Sequence, residues 1–190
     1  ALGRALVKNT SITSLDVSWN RFGPSGSAAV FDALAKNSTL RVLRFDGNEV
    51  TPAGSDALAH GLQCNEGLQE FYCSWNELGA RGGDAVGAAL VDNVSMTLKT
   101  LVLNGNELGT AGASAIGEGL AQNQSLQHLF LDDNKIESVG IIAIAAALAT
   151  NRSLQTLSLQ WNECTNAAEA LCRSLQTNTS ITKLVLDNTR

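Results

Sequence analysis

Hydrophobic residues recur along the chain in a pattern of fixed length. The motif L-x-x-L-x-L-x-x-N returns about every 28 residues. Its first hydrophobic positions are Ile12, Leu40, Leu68, Leu98, Leu126, Leu154 and Ile181. Self-similarity at this period is typical of a solenoid, in which each repeat buries its hydrophobic side against its neighbours. The pattern therefore predicts a single domain over residues 1–190, made of about six and a half stacked repeats.

Each repeat divides into a strand and a helix. In the repeat that starts at Leu98, the alternation around Leu101 and Leu103 predicts a short strand. A helix is predicted to begin near Gly112 and to end at Asn123, where asparagine is expected in the left-handed conformation common at helix ends. Connections of this kind between parallel strands are right-handed. We therefore expect an α/β solenoid, a right-handed β-α superhelix shaped as a horseshoe, with an inner parallel sheet and outer helices.

An asparagine follows the predicted strand in six repeats, and Thr189 holds the place in the last. The six are Asn20, Asn48, Asn76, Asn106, Asn134 and Asn162. Where the chain leaves a strand, backbone groups lose their partners in the sheet, and a buried amide side chain can bond to them. These asparagines are therefore predicted to be structural.

Two repeats depart from the common length. Residues 92–97 carry two extra positions before Leu98, which are expected to bulge the turn without breaking the strand. The sixth repeat is one residue short and has Ala167 and Ala168 where other repeats have a glycine. Its helix is expected to start differently.

Composition and charge narrow the classes of partner. The net charge is −5 and the basic residues form no run, so neither nucleic acid nor an anionic membrane is expected as a partner. No apolar stretch reaches the roughly 18 residues that cross a bilayer. The chain shows no signal-peptide pattern. It begins within a predicted repeat helix and ends within the turn of the next repeat, so we expect a fragment of a longer protein.

The cysteines indicate the compartment. Cys64, Cys73, Cys164 and Cys172 form no C-x-x-C pair or cluster. Cys73 and Cys164 occupy hydrophobic positions of the repeat and are predicted to act as small core residues. A reduced, cytoplasmic setting is therefore favoured over a disulfide framework.

The 28-residue motif resembles the ribonuclease-inhibitor-like subfamily of leucine-rich-repeat proteins. The segments LVLNGNELGTAGASAIGEGLAQNQSL and LSLQWNECTNAAEALCRSLQTNTSI are most similar to the repeats of NOD-like receptors. The resemblance implies a non-enzymatic recognition module, the sensing domain of an innate immune receptor, which binds a protein or microbial ligand on its concave face. Related repeats also occur in the GTPase-activating protein of Ran and in ciliary or axonemal scaffolds, and these remain alternatives.

The strands place candidate binding residues on the concave face. Tyr72, Val102 and Phe130 fall on consecutive strands, roughly 5 Å apart, and are predicted to form one apolar patch. Exposed aromatic residues of this kind are typical anchors for a protein partner, although the three could also cover one another within the sheet. The other polar candidates on this face are Asp16, Arg44, Asp46, Asp132 and Gln160.

Three tryptophans directly precede the turn asparagine. They are Trp19, Trp75 and Trp161, and Gly47 and Gly105 hold the same position in neighbouring repeats. A large indole beside a glycine indicates that each ring fills space over the next repeat. Packing is the favoured interpretation, and a role as ligand anchors is the alternative.

No enzyme site is expected. His60 and His128 lie in separate repeats without a nucleophile nearby, so no catalytic residue, metal or cofactor is predicted. Six N-x-[ST] motifs mark the same helix-to-strand turn and follow from the repeat rather than from glycosylation, although a secreted chain could carry sugars there. They begin at Asn9, Asn37, Asn93, Asn123, Asn151 and Asn178. The oligomeric state and the identity of the ligand are not predicted.

Overall fold

Strands and helices alternate along the whole structure. A computed structural model describes residues 1–92 and 97–189. The strands are β1 Ser14–Asp16, β2 Val42–Arg44, β3 Glu70–Tyr72, β4 Thr100–Val102, β5 His128–Phe130, β6 Thr156–Ser158 and β7 Lys183–Val185. The helices are α1 Leu2–Lys8, α2 Gly23–Leu34, α3 Ser55–Cys64, α4 Gly79–Asp92, α5 Gly109–Gln122, α6 Ser138–Leu148 and α7 Ala168–Leu175, and a short 3₁₀ turn, Pro52–Gly54, precedes α3.

The strands form one parallel sheet in chain order, β1 to β7. Residues at equivalent positions of neighbouring repeats pair with each other, so that Leu101 lies beside Phe71 on one side and Leu129 on the other. These central residues are fully buried, because alternate side chains of a strand point to opposite faces and the helices cover one face. The predicted α/β leucine-rich-repeat solenoid is confirmed. We call the sheet face turned away from the helices the concave face.

A ladder of asparagines joins the repeats just beyond the strands. The backbone N–H of Asn48 donates to Oδ1 of Asn76 at 2.8 Å, and that of Asn76 donates to Oδ1 of Asn106 at 3.0 Å. The ladder continues through Asn134 to Asn162, with distances of 2.9 and 3.0 Å. Each amide nitrogen also donates to backbone carbonyls where the strand has ended, as predicted. In the last repeat, the Thr189 hydroxyl donates to the Leu186 carbonyl at 2.8 Å.

A second row of asparagines lies at the helix ends. The amide of Asn151 donates to the carbonyls of Leu120 and Asn123 in the preceding repeat, at 2.8 and 2.7 Å. The last carbonyls of a helix have no partner within the helix, and this side chain bonds to one of them. Its Oδ1 accepts from the N–H groups of Ser153 and Leu154. The row therefore connects each helix end to the next repeat.

The predicted left-handed conformation of Asn123 is wrong. Its φ and ψ are −76° and 133°, which is extended backbone. The asparagine is required for the hydrogen bonds of its side chain. Its amide donates to the Leu90 carbonyl of the preceding repeat, and its Oδ1 accepts from the N–H of Leu126. The N-x-[ST] motifs thus mark buried structural asparagines at Asn37, Asn123 and Asn151. Asn65 has the same role without the motif.

The start of α5 also differs from the prediction. The helix begins at Gly109 rather than near Gly112. Gly109 has φ +61°, so the chain reverses there and enters the helix at once. Gly112 instead lies inside the helix, where a methyl group at Gly83 of α4 would be 2.3 Å from its Cα. Small residues therefore allow α4 and α5 to approach closely.

The two irregular repeats have different outcomes. The bulge was predicted within residues 92–97, of which 93–96 lie outside the described residues, and β4 keeps its pairing with β3 and β5. Helix α7 does start differently: it begins at Ala168 and spans 8 residues, against 14 in α5. Across residues 1–92 and 97–189, no helix combines the length and apolar character needed to span a bilayer.

Candidate functional site on the concave face

The concave face carries a contiguous apolar patch at its centre. Tyr72 lies beside Val102, and Val102 lies beside Phe130, in the register of β3, β4 and β5. All three side chains are half-buried. Together with Thr100 and His128 they line a shallow hollow of about 380 Å³. We call these five residues the apolar patch, and the predicted adjacency of its three apolar members is confirmed.

Polar neighbours hold Tyr72 in place. The Arg44 guanidinium lies over the tyrosine ring, with Cζ 4.0 Å from the ring centre. The Tyr72 hydroxyl donates to Oε2 of Glu70 at 2.8 Å. Burial, followed by this hydrogen bond, raises the pKa of Tyr72. The ring is therefore fixed at the border of the apolar patch before any partner arrives.

Asp16 lies apart from the patch, at the first strand. It is separated from Tyr72 by β2, and its Oδ1 accepts from the N–H of Ser18 at 3.0 Å. That backbone bond is the main reason why the pKa of Asp16 is lowered, with a smaller contribution from Arg44. Asp16 therefore belongs to the exposed edge of the face.

Asp46 and Asp132 take part in contacts between repeats. Oδ1 of Asp46 accepts from the N–H of Ser74 at 2.6 Å, 28 residues further on. Oδ1 of Asp132 accepts from the N–H of Gln160 at 2.8 Å and from the hydroxyl of Ser158. One oxygen of each carboxylate is thus used in the fold. Sequence reasoning missed this role because the partner is a whole repeat away.

The three tryptophans lie along the edge of the sheet where the strands end. Trp19, Trp75 and Trp161 are 68%, 50% and 61% exposed. A methyl group at Gly47 would lie 2.1 Å from Cε3 of Trp19, and one at Gly105 would lie 2.3 Å from Cε3 of Trp75. The predicted packing of an indole over the glycine of the next repeat is confirmed for these two. Trp161 is followed by Asn188 at the corresponding position.

Each of the three has an unfavourable backbone conformation. Their φ values are 62°, 58° and 58°. A bulky residue at positive φ is an outlier, and such conformations cost about 1–3 kcal/mol each. Stacking on the glycine offsets part of that cost at Trp19 and Trp75.

A groove separates Trp75 from Trp161. Its volume is about 430 Å³, and its remaining lining residues are Asn104, Asp132, Asp133 and Gln160. We call these six residues the edge groove. Asn104 and Asp133 were not among the predicted site residues. The signal for Asp133 was its position, which is the same as that of the tryptophans in other repeats.

Gly105 gives a direct test of the tryptophan contact. Gly105→Ala is expected to lower the free energy of unfolding by about 1–3 kcal/mol for the positive φ alone, and by more because the methyl group would collide with Trp75. Gly109→Ala is the matched control, since φ is +61° there and a methyl group meets no described atom within 4 Å. Urea unfolding should show the larger loss for Gly105→Ala, with a change in tryptophan emission. Equal losses would show that the indole is not held against the glycine.

Within residues 1–92 and 97–189, the remaining reactive side chains do not converge on one site. Cys73 is fully buried, and burial strongly raises the pKa of its thiol. The other cysteines among the described residues are also free. Sγ of Cys64 lies 3.5 Å from Nδ1 of His60 on α3, whereas His128 lines the apolar patch. The fold is one that typically serves as a non-enzymatic binding scaffold.

Similar folds occur among solved structures. The leiomodin-1 structure described as actin-binding site 2 has a TM-score of 0.54 and 16% identity, covering 92% of this chain and 87% of that chain. Human trophoblast glycoprotein, also called Wnt-activated inhibitory factor 1, has a TM-score of 0.62 and 20% identity, covering 94% of this chain and 61% of that chain. At these identities the likeness concerns the fold alone.

Sequence comparisons define the family. No curated protein sequence matches the chain. The family profile described as Leucine Rich repeat matches residues 8–30, 36–59, 94–117 and 122–145, together half of the 190 positions. Three of the matched segments, 8–30, 36–59 and 122–145, begin at or near the end of a repeat helix, and each of these contains one complete strand. The chain belongs to the leucine-rich-repeat family.

Proposed function

We propose that this chain is a protein-recognition module whose partner binds the apolar patch. The observation that carries the proposal is the unbroken row of Tyr72, Val102 and Phe130 across three neighbouring strands. Exposed apolar surface bordered by polar groups is typical of interaction sites, and aromatic side chains dominate the energy of many interfaces. The surrounding sheet is a continuous, hydrogen-bonded surface, so little ordering cost is expected on binding.

We further propose that the module is the sensing part of a NOD-like receptor in a reducing compartment. The support for the receptor is the resemblance of two segments, LVLNGNELGTAGASAIGEGLAQNQSL and LSLQWNECTNAAEALCRSLQTNTSI, to the repeats of these receptors. The support for the compartment is that the four cysteines are unpaired and that Cys73 serves as a core residue. On this proposal the partner is a protein or a microbial product that presents an apolar group to the patch.

Alanine at both Tyr72 and Phe130 is expected to weaken binding at least tenfold. Peptides selected from a phage-displayed random library on the wild-type chain serve as probes. Loss of two aromatic anchors removes well over the 1.4 kcal/mol that corresponds to tenfold in affinity. Since both side chains are half-buried on an open face, thermal unfolding should shift little. Isothermal titration calorimetry measures the affinity.

The matched control removes two exposed apolar side chains from the helical face. Val139 and Ile142 of α6 are 64% and 40% exposed. The Val139→Ala/Ile142→Ala variant should bind the selected peptides as the wild type does. Peptides that bind the Tyr72→Ala/Phe130→Ala variant with unchanged affinity, or that lose affinity for the control, would contradict the proposed site.

A further inference from the structure

We infer that the edge groove binds an arginine side chain of a basic segment in a partner protein. This inference goes beyond the proposed function, because it concerns a different surface and names the chemistry that the surface selects. It stands on three features: exposed indoles in an unfavourable conformation, an open position between them, and a surplus of carboxylates.

The tryptophans are not required by the backbone at their position. The same position has positive φ in all seven repeats, at Trp19, Gly47, Trp75, Gly105, Asp133, Trp161 and Asn188. Glycine adopts this conformation without strain, and the fold uses it there twice. Packing explains one face of Trp75, but half of its surface stays exposed. A binding role accounts for indoles that are both strained and exposed.

The indoles leave one repeat open between them. The ring of Trp75 lies over Gly105, the next position is Asp133, and the one after that is Trp161. Two strand spacings of about 4.8 Å separate Gly105 from Trp161, so the opening is roughly 10 Å wide at the backbone. Asp133 is exposed at its centre. This width admits one planar side chain beside an indole, above a carboxylate.

The charge around the groove selects a cation. Two further hollows along the same edge share Asp133 with the groove. The carboxylates that line the three hollows are Glu77, Glu107, Asp132, Asp133, Glu137 and Glu163. Among the described residues that line them, Lys135 is the single basic side chain, and it pairs with Glu107 at 2.5 Å. The surplus of negative charge disfavours an anion and leaves Asp133 available to a cationic group.

A guanidinium fits better than an ammonium. It is planar, stacks on aromatic rings and can bond to a carboxylate through two N–H groups at once. The stacking half of this arrangement already occurs within the chain, since Cζ of the Arg44 guanidinium lies 4.0 Å from the centre of the Tyr72 ring on the concave face. The edge groove offers exposed aromatic rings next to a carboxylate, and no arginine is among its lining residues.

The test uses an acetylated and amidated tetra-arginine peptide, with a tetra-citrulline peptide of the same shape as the uncharged comparison. The three tryptophans of the chain all lie on this edge, so their emission reports binding. At 150 mM salt the arginine peptide should bind at least tenfold more tightly than the citrulline peptide. Equal affinity for the two peptides, or no change in emission with either, would overturn the inference.

Variants separate the groove from general attraction to an acidic protein. Trp75→Leu/Trp161→Leu should weaken binding of the arginine peptide at least tenfold, as measured by isothermal titration calorimetry, because this variant lacks both tryptophans of the groove. Asp133→Asn, which keeps a residue that tolerates φ +52°, should weaken it at least threefold. The matched controls are Trp19→Leu, outside the groove, and Glu118→Gln on the exposed side of α5, and both should bind as the wild type does.

Two outcomes decide against the inference. Loss of binding in Glu118→Gln equal to that in Asp133→Asn would show that only net charge matters. Binding of maltohexaose but not of the arginine peptide would assign the groove to a carbohydrate instead. The Tyr72→Ala/Phe130→Ala variant should keep its affinity for the arginine peptide, so failure of the apolar patch and failure of the edge groove are distinguishable. Circular dichroism confirms that each variant is folded.

Discussion

Replacing Asn162 with alanine is expected to lower the free energy of unfolding by about 2–6 kcal/mol. Its Oδ1 accepts from the N–H groups of Asn134 and Ile136, both at 3.0 Å and both in buried residues. Each buried donor left without a partner costs about 1–3 kcal/mol. The amide nitrogen is lost as well, and with it the bonds to the carbonyls of Leu131 and Leu159. Equilibrium urea unfolding measures the change.

Asn20→Ala is the matched control for this ladder. Asn20 holds the same position in the first repeat, but it is exposed. Its amide donates to the carbonyls of Val17 and Ser18 within its own repeat. The expected loss is about 1 kcal/mol or less, the value of an ordinary hydrogen bond. Similar losses for Asn20→Ala and Asn162→Ala would contradict the view that the ladder stabilises the contact between repeats.

Asn151→Ala is expected to have an effect of comparable size at the helix ends. The change removes the amide N–H groups that donate to the carbonyls of Leu120 and Asn123 at the end of α5. It also removes the oxygen that accepts from the N–H groups of Ser153 and Leu154. Asn151 is completely buried, so water cannot simply replace it. We expect a loss of about 2 kcal/mol or more in the free energy of unfolding, measured by urea unfolding.

Asn9→Ala is the control that separates the bonds within the turn from the bonds to the preceding helix. Its Oδ1 accepts from the N–H groups of Ser11 and Ile12, as Asn151 does within its own turn. Its amide donates to the hydroxyl of Ser11 rather than to a preceding helix. Asn9→Ala should therefore lower the free energy of unfolding clearly less than Asn151→Ala.

A secreted form of the chain should also carry no glycan at Asn151 when folded, because that side chain is completely buried. A glycan found at Asn151 on natively folded protein would contradict the burial.

Local pattern was enough to predict the repeated elements. The alternation around Leu101 defines a strand, and the recurring spacing places Leu129 beside it, because every repeat has the same path. The asparagines after the strands could also be predicted, since Asn106 follows a chain reversal where backbone groups need partners. These features depend on residues close in sequence or on the period itself.

Contacts between repeats were harder to predict. Asn123 matched a helix-end signal, but its side chain serves the preceding repeat, 33 residues away. Asp132 was predicted as a ligand residue, yet one of its oxygens bonds to Gln160 in the next repeat. The repeat pattern alone does not tell whether a side chain at a given position faces solvent or contacts the neighbouring repeat. Pairing the residues of adjacent repeats is what distinguishes the two cases.

Comparing equivalent positions of adjacent repeats did predict one contact between repeats, that of the tryptophans. Trp75 and Gly105 lie 30 residues apart at the same position of adjacent repeats, and comparing the two predicted the stacking that the structure contains. The same comparison did not predict the edge groove. The groove exists because Asp133 has a smaller side chain than the tryptophans that hold this position in other repeats. Whether the concave-face residues bind a partner remains a prediction.

The most direct test is photo-cross-linking from the two faces of the solenoid. Benzoylphenylalanine is introduced in place of Val102, in the apolar patch, or in place of Val139, on the exposed side of α6. Each protein is then irradiated with a peptide selected on the wild-type chain. We predict covalent capture from position 102 and none from position 139. Capture from position 139 alone, or from both positions equally, would contradict a partner bound on the concave face.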